Sequence, residues 1–413
     1  MTINAVERED KPIGLPWRWR RVVSVLSVAV AWNICLAGTA PPAHAEDVRK
    51  KQWYLDPMQA EQMWEVSTGQ GVTVAVIDSG VNPATDALRG QVDLTAPEIN
   101  SKAFQDLNGH GTSMAELIAG TGRNGGIQGL APGAKILPIR VPLGDFKEQP
   151  GDGQSNSDEY TVAEAVRAAA DSEAQIISMS IRALLRQDFK DALDYAASRG
   201  KLMFAAAGNE GQGKDLAAYP AASKNVAAVA GSEQSQDVAK YSQDGYVVLT
   251  APGSDVPGWC DNTFSRYCLN EGTSNAAALA SGAAALIWSK HPEWNANQVM
   301  RVMLQTAGVP KGQEVPSKFV GYGAVRPRVV LLEDKGEPGD PDINPLLDPH
   351  SIKPTPPSPS PSPTQEAAGH TASERTATST SADGYGLVLP LAVGGAVALL
   401  ATAFLLLRRR RNN

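Results

Sequence analysis

Glu271-Gly272-Thr273-Ser274-Asn275-Ala276-Ala277-Ala278 runs into the small apolar stretch Leu279 to Ile287. Glycine and alanine leave almost no bulk around the hydroxyl of Ser274. A Gly-Thr-Ser step that opens an alanine-rich helix sets that hydroxyl at a helix N-terminus. Unpaired N–H groups and the helix dipole favour negative charge there. A serine whose attack creates an oxyanion is well served by such a place. A capped core helix would have much the same sequence, so the rest of the chain must supply a base, an orienting acid and an oxyanion donor.

Working outward, Val72 to Ile77 is a continuous, largely β-branched run, the pattern of a strand buried on both faces. It ends at Asp78-Ser79-Gly80. Similar runs recur at Lys135 to Val141, Gln175 to Ser180, Lys201 to Ala206, Val226 to Ala230 and Val247 to Ala251. Helical patterns at Ser113–Ala119, Val162–Ala170 and Phe189–Ser198 lie between several of them. Alternating strand and helix predicts an α/β fold, a parallel sheet with helices on both faces. Chemistry in such sheets gathers at the carboxyl ends of the strands. Asp78 stands at one such end.

Three further residues can complete the site. His110 lies in Asn108-Gly109-His110-Gly111-Thr112 and opens a helix. Its pKa range suits a general base near neutrality. A histidine in that role needs a buried carboxylate to fix its tautomer, which Asp78 can provide. Asn209, in Ala207-Gly208-Asn209-Glu210-Gly211 just past a strand, can donate its amide to an oxyanion together with the Ser274 N–H. Each of these pieces alone reads as an ordinary turn or loop; together, in the order Asp–His–Ser, they read as a catalytic set.

The ends of the chain have a different character. Arg18, Arg20 and Arg21 precede an apolar run, Val22 to Gly38, and Ala43-His44-Ala45 forms an A-x-A site. Residues 1–45 are therefore expected to be a signal peptide. Residues 46–332 are expected to be the folded domain. From Glu333 to Gly384 the composition turns to Pro, Ser, Thr and Asp, and residues 333–384 are expected to be an extended, disordered stalk. Residues 385–407 carry no charge and are long enough to cross a bilayer, so a transmembrane helix is expected there. Residues 408–413, beginning with four arginines, are then a cytoplasmic tail and the folded domain faces outward.

The net charge is −7, and both terminal segments are net basic, so the folded part is more acidic still. That argues against nucleic acid as a partner. With 42% hydrophobic residues a sizeable core can form. Cys260 and Cys268 remain after Cys35 leaves with the signal peptide. Outside the cytoplasm they are expected to form one disulfide. Two cysteines are too few for a structural zinc site, and no metal and no cofactor are expected.

The chain resembles the subtilisin-like serine proteases over about residues 53–332. The matching motifs are Val76-Ile77-Asp78-Ser79-Gly80-Val81, the His110 segment, Ala206-Ala207-Gly208-Asn209-Glu210-Gly211 and Gly272-Thr273-Ser274, with Gly129 to Ala134 and Tyr219-Pro220-Ala221 in support. The layout of signal peptide, stalk and C-terminal anchor, with the Trp53-to-Gly71 lead-in, further resembles the mycosins, actinobacterial proteases linked to type VII secretion. The resemblance implies a subtilisin-like sheet and a serine endopeptidase that acts on protein or peptide substrates. It makes Ser274 the nucleophile, His110 the general acid/base, Asp78 the orienting acid and Asn209 the oxyanion donor. Ser180, Ile181 and Arg182 would bind the substrate backbone by strand addition. It also implies an extracytoplasmic enzyme anchored in the cell membrane by its C-terminal helix, with type VII secretion machinery as a partner. The alternative is a subtilisin-fold scaffold subunit of a secretion complex with weak or no catalysis.

Departures from the family pattern favour that alternative. Asn275 follows the nucleophile where the family usually has Met, and Glu116 stands where a Gly is usual. Arg182-Ala183 replaces a pair of glycines on the substrate strand. Only Glu46 to about Lys51 separates the expected cleavage site from the domain, which predicts folding without a long propeptide.

Overall fold

The computed structural model describes residues 48–95, 102–142, 161–213, 217–309 and 314–352. The expected signal peptide, transmembrane helix, basic tail and all of the stalk beyond residue 352 lie outside these residues. Among the described residues no helix is long and apolar enough to cross a membrane.

Six parallel strands form the central sheet: β1 (Thr73–Asp78), β2 (Lys135–Arg140), β3 (Ile176–Met179), β4 (Leu202–Ala206), β5 (Ala227–Ser232) and β6 (Leu249–Pro252). Their order is β2-β1-β3-β4-β5-β6, so the six apolar runs of the sequence are the six strands. The runs are continuous because both faces are covered. Val74 and Val76 of β1 enter one core cluster while Ala75 and Ile77 enter the other. Polar alternation would put unpaired polar groups into one of those cores.

The helices divide between the two faces. α1 (Ala60–Val66), α2 (His110–Ala119), α5 (Thr273–Lys290) and α6 (Ala296–Gln305) belong to the larger core. α3 (Val162–Asp171) and α4 (Gln187–Ser198) belong to the smaller one. Each of α3 and α6 begins with a reciprocal capping box, Thr161 with Glu164 and Asn295 with Gln298. α5 is the axis of the domain. It packs against β3, β4, β5, β6 and α2, and is buried from Asn275 to Trp288. A helix enclosed on all sides must be apolar all round, and alanine and glycine let its neighbours approach closely. A Cβ on Gly282 would stand 3.1 Å from the Leu130 Cβ.

A two-stranded antiparallel hairpin, β7 (Val256–Trp259) and β8 (Tyr267–Asn270), lies between β6 and α5. A short helix, α7 (Pro327–Leu331), follows α6.

The expected stalk begins too early at Glu333. Residues 333–352 instead pack on the domain. The guanidinium of Arg301, on α6, donates to the carbonyls of Pro338 and Ile343, the latter at 2.5 Å. Asn295 and Asn297 both donate to Pro341 O, Gln298 donates to Gly339 O, and Gln305 accepts from Glu337 N. Leu346 and Ile352 pack on the larger core. A Pro/Asp-rich composition lacks core-forming bulk of its own, but here the polar face of α6 satisfies its backbone instead.

Candidate active site

The expected residues stand at the carboxyl ends of β1, β3 and β4 or just beyond them, and at the N-termini of α2 and α5. Asp78 ends β1 and is fully buried. His110 opens α2, and its Nδ1 is 2.7 Å from Asp78 Oδ1. The same oxygen accepts from Ser79 N at 2.7 Å. The glycines around His110 have steric causes. Gly109 has φ 82°, and a Cβ there would stand 2.8 Å from Asp261 O. A Cβ on Gly111 would meet Gly80 O at 2.2 Å and Asp78 itself at 3.1 Å. Any larger residue at 111 would push the helix off the end of β1.

Burial acts to lower the pKa of His110. The charge and hydrogen bond of Asp78, with the charge of Asp106, more than offset it, and the net direction is upward from 6.5. Asp106 escaped the sequence reading. Its Oδ1 accepts from Ser79 Oγ at 2.8 Å and Gly109 N at 2.9 Å, and its Oδ2 from Thr112 N at 2.8 Å and Thr112 Oγ1 at 2.6 Å. It ties the end of β1 to the first turn of α2. The signal in the sequence was an Asp four residues before a Gly-flanked His, which looks like any turn.

Ser274 lies in the first turn of α5. Its Oγ is 3.5 Å from Ser180 O, and Ser180 Oγ donates to Ser274 O at 3.0 Å. Ser274 Oγ makes no hydrogen bond to His110 in this structure. Asn209 is anchored through its carbonyl: Oδ1 accepts from Thr273 N and Thr273 Oγ1, both at 2.9 Å. That fixes which way the amide faces. The place where a Cβ on Gly272 would sit is 3.4 Å from Asn209 Nδ2 and 3.8 Å from Ser274 N. Two nitrogen donors thus border one small space, which the absent side chain of Gly272 leaves open. This arrangement can receive an oxyanion. Ile181 is buried, with its side chain in the smaller core, so only its backbone can face a substrate.

The three departures from the family pattern each have a partner. Asn275 Nδ2 donates to Gly253 O at 3.1 Å, tying the start of α5 to the loop after β6. Arg182 Nη1 pairs with Glu210 Oε1 at 2.7 Å. Glu116, buried on α2, accepts from the Tyr267 hydroxyl at 3.0 Å. Burial pushes its carboxyl up to about 7, with Thr85, Tyr267 and Trp259 offsetting part of that effect. Glu116 Oε1, Thr85 Oγ1 and Trp259 Nε1 are buried nearby without a well-formed hydrogen bond among the described residues.

Tyr267 and Trp259 belong to the hairpin, where their rings stack at 3.9 Å. Trp259 N donates to Ser113 Oγ on α2 at 2.8 Å. Cys260 and Cys268 are joined by a disulfide, as expected from export. The hairpin therefore holds the helix of His110 on one side and leads into the helix of Ser274 on the other. Among the described residues no cluster of side chains suited to a metal ion is found.

The sequence matches the subtilase family over residues 69–323. It is 33% identical over 249 residues to thermitase of Thermoactinomyces vulgaris, covering 58% of this chain and 83% of thermitase. With the minor extracellular protease Epr of Bacillus subtilis it shares 30% identity over 282 residues, covering 67% of this chain but spanning only 41% of Epr. The fold is similar to that of the MycP3 protease from the type VII (ESX-3) secretion system. That match has a TM-score of 0.55 at 26% identity and covers 71% of this chain and 90% of that one. MycP1 from Mycobacterium smegmatis gives a TM-score of 0.56 at 25% identity, covering 74% and 89%. With the match spanning most of the described domain, the chain belongs to the subtilase family of serine proteases and is related to the mycosins.

Proposed function

We propose that this chain is a membrane-tethered, extracytoplasmic serine endopeptidase that processes secreted or envelope proteins in association with type VII secretion. The observation that carries the catalytic part is the placing of Asn209 Nδ2 and Ser274 N about one open position at Gly272, together with the hydrogen bond of His110 to the buried Asp78 carboxylate.

Ser274 Oγ attacks the scissile carbonyl after rotating from Ser180 O toward His110. His110 Nε2 takes its proton, and the carboxylate of Asp78 steadies the resulting imidazolium. The carbonyl oxygen, now negative, is held by Asn209 and the backbone of Ser274. His110 then returns the proton to the leaving amine, and water hydrolyses the acyl-enzyme by the reverse sequence. Catalytic hydrogen bonds are commonly long before substrate arrives, so the lack of a Ser274–His110 hydrogen bond here is compatible with this cycle.

The cellular part rests on the apolar residues 385–407, the arginines that follow, and the likeness to proteases of type VII secretion systems. Full-length protein is expected to react with a fluorophosphonate probe at Ser274. Ser274→Ala and His110→Ala are expected not to react, and equal labelling of all three would overturn the assignment. In the same cells the labelled protein should sediment with membranes and be degraded by protease added outside. Recovery in the soluble fraction would refute the tether.

A further inference from the structure

The Ser180–Ala183 segment leaves the end of β3, and Ala207–Glu210 leaves the end of the neighbouring β4. Both segments touch the start of α5. Ser180 O faces Ser274 Oγ, and Asn209 Oδ1 accepts from Thr273 N. A peptide acylating Ser274 lays its carbonyl oxygen toward Asn209 and its preceding backbone along residues 180–182. Its side chain before the scissile bond must then enter between the two segments. Just beyond Ser180 and Asn209 that gap is bridged by the ion pair of Arg182 and Glu210, 2.7 Å apart. The two side chains are 31% and 45% exposed, so incoming substrate can reach them. Arg182 also walls an apolar recess of about 310 Å³ with Ala183, Leu184, Leu185, Ala217 and Tyr219.

Resting on the protease reading of Ser274, we propose that the Arg182–Glu210 pair is a latch across the substrate side-chain pocket, which restricts the enzyme to small uncharged residues before the scissile bond. A small side chain fits without parting the pair. A large apolar one must part it and leave two charges in a less polar setting. A charged side chain of either sign meets one opposite and one like charge there, so it must exchange the existing pair for a new one and gains nothing net from the site. A partly exposed ion pair is weak, so the latch disfavours large side chains by up to about fivefold rather than excluding them.

The test is a peptide library varied only at the residue before the scissile bond, cleaved by detergent-purified full-length protein. Wild type should favour Ala, Ser and Gly. Arg182→Ala should raise kcat/KM on Leu and Phe peptides relative to Ala peptides, by up to about fivefold. Glu210→Gln, which removes the carboxylate 2.7 Å from Arg182, should gain selectively on Asp and Glu peptides. The double variant Arg182→Glu with Glu210→Arg should return toward the wild-type preference. Coincident profiles for wild type and Arg182→Ala, or an even loss across all peptides in every variant, would overturn the latch. Fluorophosphonate labelling of each variant runs in parallel. Labelled protein with an unchanged profile overturns the latch alone. No labelling of wild type overturns the protease reading and the latch with it.

Discussion

Replacing Glu116 by Gln should remove a pH dependence of stability that the fold builds into α2. The native carboxyl is pushed up to about 7 by burial, against an ordinary value of 4.5. Between those values the unfolded chain has released a proton that the native state keeps. The unfolded state binds fewer protons, so stability falls as pH rises from about 4.5 to about 7 and levels off above. Integrated between pH 5 and pH 8, the loss is about 2–3 kcal/mol. The amide of Gln is neutral throughout, so it escapes that loss. It does carry an NH2 group into a site that offers donors, the Tyr267 hydroxyl among them, at a cost of about 1–3 kcal/mol that does not vary with pH. The variant should therefore be the less stable protein at pH 5 and equal or better at pH 8. His110, whose raised pKa also favours the native state at low pH, is common to both proteins and cancels in the difference. Urea unfolding of both at pH 5, 6, 7 and 8 measures it directly. A stability difference that stays constant over this range would mean Glu116 is charged in the folded protein, and the burial argument would fail.

Asn209→Leu should lower kcat by about 10²–10³ with KM nearly unchanged, because its amide is aimed at charge that develops only during reaction; lost affinity with intact turnover would make it a positioning residue instead. The kcat/KM of the wild type should rise with pH through an apparent pKa above 6.5, since His110 must be neutral to act as a base and Asp78 and Asp106 together hold its proton. Asp106→Asn should move that pKa down, and an unmoved profile would show that the Asp106 charge is not felt at His110. Ending the chain after Leu332 should destabilise the domain about as much as Arg301→Ala does, by about 2–4 kcal/mol, because either change strands a buried guanidinium or its carbonyl partners. Unaltered urea midpoints in both would refute the packing described for residues 333–352.

Much of this was legible before any coordinates. The six strands could be read because a strand covered on both faces must be continuously apolar, and β1 meets that demand on alternate faces with Val76 and Ile77. Asp78, His110 and Ser274 could be read because helix starts and strand ends leave marks in glycine and small residues. The hairpin could not, since Val256–Trp259 is largely buried yet carries Pro257 and Gly258, and in Tyr267–Asn270 only Leu269 is exposed, so neither strand shows an alternating pattern. Asp106 was hidden because its work is done by hydrogen bonds from backbone N–H groups and the hydroxyls of Ser79 and Thr112, which no spacing rule encodes. The partners of Glu116 and Arg182 are far along the chain, at Tyr267 and Glu210, and only folding brings them near. The segment after Leu332 was misjudged because its composition was weighed alone. What holds it is the polar face of α6, a property of another element.

The clamp on residues 333–352 also determines how the domain bears a pull. Tension on the chain beyond Ile352 would first meet the strap, whose contacts run antiparallel along α6, from Gln305 with Glu337 to Asn295 with Pro341. Leu346 and Asn344 of the strap border Gly200 to Met203, at the start of β4, whereas Asn209 lies past the end of that strand. Force would therefore enter at the amino-terminal end of β4, the end opposite the one where Asp78 and Asn209 stand. The Arg301 anchorage would yield before the catalytic end was strained. A protease held by its C-terminus could in this way be tugged, crowded or turned by its surroundings while its reacting groups kept their distances.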